Sequence, residues 1–330
     1  MAGAARAPRR RRARGPLEGR GVTASRSPSV AVLIVTWNNG AELLLCLESL
    51  RRLDYPRERM EVVVLDNGST DDTAARVGAL FGRMRAEGWA RLAGERSPRN
   101  LGAFGGRAEA LRSVGPAAEF VLSLDDDVEV EPDALRALLD AMADPAVGVV
   151  GARIVYADAP DEVASAAGYL SRLTGTFRER APEVRTACDF VSSCGCLIRR
   201  SAMDSVGGFE RDYFTSHGDV DLCLKLGEAG FRVLYEPAAV IRHRVARGGT
   251  RTPERVYYGY RNKLLLLRRH LPPRGRLRVM LIYAFLWLPK TLGGSVLRHH
   301  GLRRAELRAI LLGALDGALG RRGEARWFGR

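Results

Sequence analysis

Three acids stand in a row at Asp125-Asp126-Asp127, directly after an apolar run at 119–124. Asp125 and Asp127 are two apart, so a short extended stretch aims both carboxylates to one side. Two carboxylates so placed suit a hard divalent cation such as Mg²⁺ or Mn²⁺, which prefers oxygen ligands. Such a cation in turn suits a ligand with several negative charges, a diphosphate above all. The competing reading is a solvated acidic turn ahead of a helix near Pro132. Two more polar clusters end apolar runs in the same manner: Thr36-Trp37-Asn38-Asn39 and Asp66-Asn67-Gly68-Ser69. One cluster alone carries little, since Asx residues are ordinary turn formers. Three at successive strand ends, with the glycine-rich NLGAFGG at 100–106 between them, point to a binding edge.

Elements must bring these clusters to one edge. VAVLIVT at 30–36 and MEVVVL at 60–65 are continuous β-branched runs, expected as buried parallel strands. Thr70-Asp71-Asp72-Thr73 is a helix-start signal, and helices are expected at 42–52 and 72–84. A third strand is expected at 89–92, a glycine-rich loop at 100–106 and a helix at 107–114. Next come a strand at 119–124, a helix at 132–142 with Pro in its first turn, and a strand at 147–155. The alternation predicts an α/β fold, Rossmann-like, with a mostly parallel sheet and helices on both faces. Ligands in such folds bind beyond the carboxyl ends of the strands. Residues 156–210 are less regular, with a strand near 190–198. A helix at 219–229, a strand at 232–235 and an amphipathic helix at 302–320 follow.

The net charge of +14 is uneven. Residues 1–30 carry +7, residues 31–241 carry −10 and residues 242–330 carry +17. An acidic body between basic ends argues against nucleic acid as a partner. The basic end is interleaved with apolar residues, as in RLRVMLIYAFLWLPK at 276–290. It is expected to lie on an anionic membrane surface, the alternative being a helix packed on the body or an oligomer contact. The apolar run at 279–288 is about half of the ~20 residues that span a bilayer, so no transmembrane helix is expected. The first twenty residues have no apolar core of a secretory signal. The five cysteines show no disulfide spacing, so a cytoplasmic protein on the inner face of the cell membrane is expected. Three regions are expected: a disordered basic tail at 1–28, a catalytic-type domain at 29–250 and a C-terminal amphipathic helical region at 251–330.

From about Val30 to His243 the sequence resembles glycosyltransferase family 2, whose fold is GT-A. The motifs come in that family's order: VLIVTWNN at 32–39, VVLDNGSTDDT at 63–73, NLGAFGG at 100–106, SLDDDVEVEPDAL at 123–135, GCLIRR at 195–200, VGGFE at 206–210 and GDVDLCLKLGEAGFRV at 218–233. Tyr257-Tyr258 and Arg261-Asn262 add a likeness to bacterial rhamnosyltransferase-like and other cell-surface glycan transferases. The resemblance implies site roles. Thr36 and Asn38 line the nucleotide pocket, Asp66 accepts a hydrogen bond from the base, and Asn67 and Asp126 belong to the same donor-binding set. Asp127 is the direct metal ligand of a DxD motif, and Asp125 lies near the ribose or the metal. His243 contacts metal or diphosphate, unless it is structural, and Arg107 faces the diphosphate or the solvent. Asp219 is the catalytic base, against the plainer reading that Asp219 or Asp221 caps a helix. Gly218 stands where the family often has Glu, and Ala108 where it often has Asn.

The resemblance implies a metal-dependent, inverting hexosyl- or deoxyhexosyltransferase. The donor would be a nucleotide diphosphate sugar, UDP- or dTDP-linked, and the acceptor a glycan or lipid-linked hydroxyl in cell-wall polysaccharide synthesis. The sibling reading is transfer to a polyprenyl phosphate. A sugar-nucleotide pyrophosphorylase would need a Lys/Arg-bearing glycine-rich signature near the first strand, which VLIVTWNN lacks.

Overall fold

A computed structural model of the chain describes residues 27–245, 252–290, 304–325 and 327. The tail expected at 1–28 lies almost wholly outside these residues. Strands β1 (Val30–Thr36), β2 (Met60–Asp66), β3 (Arg91–Arg96) and β4 (Phe120–Asp125) run parallel, with β1 between β2 and β4. β3 begins two residues later than the sequence predicts. The chain continues through β5 (Val128–Val130), β6 (Val147–Tyr156), β7 (Ala159–Ser165), β8 (Ala167–Ser171), β9 (Thr176–Arg180), β10 (Thr186–Ala187), β11 (Gly195–Arg199) and β12 (Arg232–His243). The main sheet has the order β10-β12-β6-β11-β4-β1-β2-β3, with β5 beside β12 and β7 beside β6. β11 is antiparallel to both its neighbours, so the sheet is mixed but mostly parallel. β8 and β9 form a separate hairpin.

Alternation along β1 sorts its side chains to two cores. Val30, Val32 and Ile34 join one core with helices α1 (Gly40–Leu50) and α2 (Thr73–Met84). Ala31 and Leu33 face the other, with α3 (Gly102–Ala110). α4 (Ala134–Ala141) extends the first core, and α5 (Arg200–Ser205) and α6 (Gly218–Glu228) the second. Both faces of the sheet are therefore covered, which is why its strands are near-continuous apolar runs.

The glycine-rich segment corrects one expectation. It is not a loop ahead of a helix at 107: α3 starts at Gly102 and takes in the remaining glycines. Gly102 has φ +77°, and a Cβ there would lie 2.2 Å from the Phe214 carbonyl oxygen. At Gly106 a Cβ would lie 2.7 Å from Val35 Cγ1. The glycines thus let a helix approach the sheet closely.

Among the described residues, three helices follow β12: α7 (Pro253–His270), α8 (Pro273–Ile282), which runs on through a π-helical turn at Tyr283–Trp287, and α9 (Arg304–Leu319). α7 buries Leu265, Leu266 and Leu267 in the second core of the sheet domain. α9 lies against α7 nearly backbone to backbone. A Cβ at Gly313 or Gly317 would come 2.5 Å from the Tyr257 carbonyl oxygen or 2.7 Å from that of Arg261. Among the described residues no helix is long and apolar enough to cross a membrane.

Candidate active site

A cleft of about 570 Å³ opens at the carboxyl ends of β1, β2 and β4. Thr36, Asn38, Asn67, Arg107, Asp125, Asp126 and Asp127 all line it, so the sheet brings together most of the residues singled out in the sequence. Parallel register does this: Thr36 is level with Asp66, and Val35 with Asp125.

The acidic triplet divides into three environments. Arg107 is buried and makes an ion pair with Asp125, while its Nε donates to Ser123 Oγ at 3.2 Å. On the cleft wall it is shielded from open solvent and serves as the counter-ion of Asp125. The Thr36 hydroxyl donates to Asp126 Oδ2 at 2.6 Å. Burial pushes the Asp126 carboxyl up to about 6, with the Thr36 bond acting in the opposite direction. Asp127 meets His243, with Oδ1 and Nε2 3.0 Å apart. β5 makes that meeting possible, because it pairs antiparallel with β12 and sets His243 opposite Val128. Burial disfavours charge on both partners, but each holds the other ionised, the imidazole above its ordinary range and the Asp127 carboxyl below it. The ligand atoms of Asp125, Asp127 and His243 all lie within 4.8 Å of one another. Two carboxylates and one imidazole suit a divalent cation such as Mn²⁺.

The loops around the cleft are tied by side chains. Asn38, at φ 51°, accepts at Oδ1 from the Thr70 backbone N–H at 2.8 Å. Asn67 donates to the Gly102 carbonyl and to Asn100 Oδ1, each at 3.1 Å, and accepts from the Leu101 N–H at 2.9 Å. It is the strut between β2 and α3. Asp66 is buried and does not form part of the cleft wall. Its Oδ1 accepts from the Ser69 N–H at 2.8 Å, and its Oδ2 lies 3.4 Å from Arg96 Nε.

Asp219 occupies the first turn of α6, half-buried, where the helix dipole favours a negative charge. It is not on the cleft wall either, although Phe214 and Thr215, just ahead of it, are. Burial raises its carboxyl above the usual range, and hydrogen bonds from the Val220 and Ser193 backbone and the charge of Arg107 work against that rise. The loop before it is strained: Ser216 and His217 both have positive φ, 63° and 68°. Asn262 of α7 holds it by donating to the Thr215 carbonyl at 2.5 Å and the Ser216 carbonyl at 3.1 Å. Arg261 braces the same loop at the Asp212 carbonyl.

Sequence reasoning passed over several of the cleft's residues. Trp37, Asn39 and Asn100 lay inside quoted motifs without a role. Thr252, Glu254 and Arg255 reach the cleft from the start of α7, and nothing local in the sequence marks them.

The family profile for Glycosyl transferase family 2 matches residues 31–207, and that for Glycosyl transferase family group 2 matches residues 120–303. An uncharacterised protein of Sinorhizobium fredii is 32% identical over 269 residues, which are 74% of this chain and 27% of that one. This chain thus spans only about a quarter of that relative. The N-acetylglucosaminyl-diphospho-decaprenol L-rhamnosyltransferase of Mycobacterium tuberculosis is 30% identical over 246 residues, 67% of this chain and 78% of the relative. A mannosyltransferase from Pyrobaculum calidifontis, solved with GDP-Man and Mn²⁺, superposes with a TM-score of 0.59 at 17% identity, covering 90% of this chain and 89% of its own.

Proposed function

We infer, because this chain belongs to glycosyltransferase family 2 and has its GT-A fold, that it moves a sugar from a nucleotide diphosphate donor to an acceptor hydroxyl with inversion at the anomeric carbon. The observation that carries this reading is the convergence of Asp125, Asp127 and His243 on one cleft edge. Those three residues would hold Mn²⁺ or Mg²⁺, which when bound supplies the positive charge that a departing diphosphate needs. Arg107 fixes Asp125 for that purpose. Thr36, Asn38 and Asn67 would seat the nucleoside, and Arg255 lines the same cleft, its charge favouring ionised Asp127.

In the proposed step the acceptor oxygen bonds to the anomeric carbon as the bond to the diphosphate oxygen breaks. The hydroxyl proton passes to Asp219. A carboxylate whose proton affinity is raised by burial suits that task. The donor is taken to be UDP- or dTDP-linked and to carry a hexose or deoxyhexose. The acceptor is taken to be a lipid-linked glycan at the inner face of the cell membrane, in keeping with the diphospho-decaprenol acceptor in the Mycobacterium tuberculosis relative's name. Thermal-shift screening of UDP-, dTDP- and GDP-sugars tests the reading. One of them should stabilise the chain with Mn²⁺ and lose that effect in EDTA. No stabilisation by any donor with either metal would overturn it.

A further inference from the structure

Lys263 projects from α7 between two aromatic rings. Its Nζ lies 5.4 Å from the centroid of Phe177 and 5.7 Å from that of Trp287. Among the described residues it has these ring faces and neither an ion-pair nor a hydrogen-bond partner. Lys263 is half-buried, and this partial loss of water lowers its proton affinity. Two polar groups near it are buried and unsatisfied. His217 stands edge-on to Phe177 at 5.5 Å, and its buried Nδ1 has no hydrogen-bond partner. Tyr283 Oη is buried without one too, and its ring packs on Tyr260, one helical turn before Lys263. A polar group removed from water and left unpaired is costly unless a ligand completes it.

The position of this box gives it meaning. On one side, His217 is two residues from Asp219. On the other, the π-helical turn presents Phe285 and Leu286, 78% and 61% exposed, next to Leu281 of α8. Arg278 ties this ridge to the β8–β9 hairpin, donating to the Arg172 and Leu173 carbonyls at 3.1 Å each. Lys263, Phe177, His217 and Trp287 all lie outside the wall of the donor cleft. The box is therefore separate from the site that would take a donor diphosphate.

We propose that Lys263, boxed by Phe177 and Trp287, binds the phosphate or diphosphate of a lipid-linked acceptor whose hydrocarbon chain lies along Leu281, Phe285 and Leu286. The unpaired cation calls for an anion, the continuous ridge calls for an aliphatic tail, and the His217 side leads to Asp219. A molecule that is anionic in its middle and apolar at one end matches all three. The assignment rests on the glycosyltransferase reading, so its test must separate the two.

Farnesyl diphosphate is the probe, added to the full chain in EDTA so that no metal draws it into the donor cleft. Isothermal titration calorimetry reports binding. The parent chain should bind farnesyl diphosphate at least tenfold more tightly than farnesol. Lys263→Met should lose at least tenfold, Lys263→Arg should keep most of the affinity, and Phe285→Ser should weaken farnesyl diphosphate but not inorganic pyrophosphate. Nucleotide-sugar binding with Mn²⁺ should be unchanged in all three variants; its absence from the parent would sink the donor reading instead. Equal binding of farnesol and farnesyl diphosphate overturns the proposal, and this comparison uses the parent chain, so it stands even if a variant misfolds. Equal binding by the parent and Lys263→Met overturns it as well. A Lys263→Met chain that leaves phosphatidylglycerol vesicles but keeps farnesyl diphosphate also overturns it, in favour of a bilayer headgroup.

Discussion

Arg107 links two acids of the proposed chemistry, Asp125 and Asp219. It ion-pairs with Asp125, and its charge also favours ionised Asp219. Asp219→Asn keeps the shape of the side chain and cannot take a proton. It should bind nucleotide sugar with Mn²⁺ nearly as well as the parent, while turnover falls ~10²–10⁴-fold. Asp221→Asn should act through stability instead, because Asp221 is fully buried and bonded to His270 at 2.9 Å. Near-parental turnover in Asp219→Asn, or retained anomeric configuration by NMR, would remove Asp219 from its role. His217 offers a different kind of test. Burial, helped by the Lys263 charge, pushes its imidazole down to about 4 from an ordinary 6.5. The unfolded chain therefore takes up a proton between those pH values that the folded chain refuses. Stability from this group is complete above pH 6.5 and is lost as pH falls towards 4. The loss is at most ~3 kcal/mol, and less because the residue as a whole is only half-buried. His217→Phe should flatten the fall of the unfolding midpoint across that window. A slope equal to the parent's would show that the imidazole is not held neutral.

At the scale of elements, the Gly218 departure is explained by a neighbour. A Cβ at Gly218 would lie 2.3 Å from Phe104 Cγ, so the Phe104 ring of α3 fills the space a side chain would need. The two helices are matched, bulky on α3 and bare on α6. Gly218→Ala should cost ~1–3 kcal/mol, as overpacking of a tight core does. In a Phe104→Ala background the same change should cost little or nothing, giving a coupling energy above ~1 kcal/mol in a double-mutant cycle. Additive costs in chemical denaturation would break the link. The same pair marks the limit of what the sequence discloses. Strands β1, β2 and β4 were legible because a strand covered on both faces must be apolar at almost every position, and the polar clusters that end them became the cleft. The extent of α3 was not legible, since glycine there serves close packing against Val35 and Phe214 rather than a turn. Arg107 was visible as a cation, but its pairing with Asp125 depends on which face of α3 meets β4. The brace of Asn262 on the Thr215 and Ser216 carbonyls joins residues 46 or more apart in sequence, and no local pattern announces it.

For the whole molecule, charge and shape point the same way. The acidic stretch at 31–241 carries the cleft, and the stretch at 242–330 carries +17. The described part of that basic end places Leu277, Leu281, Phe285 and Leu286 at the surface of α8 and the π-helical turn. Arg274 and Lys290 are exposed on the same segment. Scattered exposed apolar residues need no partner, but a contiguous set beside cations does. An anionic bilayer satisfies both features, the cations at the headgroups and the rings just beneath them. The full chain should therefore sediment with phosphatidylglycerol vesicles far better than with phosphatidylcholine vesicles. Each cation near such a surface contributes ~1 kcal/mol, so Arg274→Gln with Lys290→Gln should weaken partitioning roughly thirtyfold. Raising salt to ~1 M shortens the screening length from ~8 Å to ~3 Å and should release most of the protein. Phe285→Ser with Leu286→Ser should weaken binding at every salt concentration, since burial of rings is not screened. Retention that ignores salt would mean that apolar insertion dominates. No preference for phosphatidylglycerol, together with a larger assembly in solution that Phe285→Ser dissolves, would instead assign this ridge to contact between protein copies.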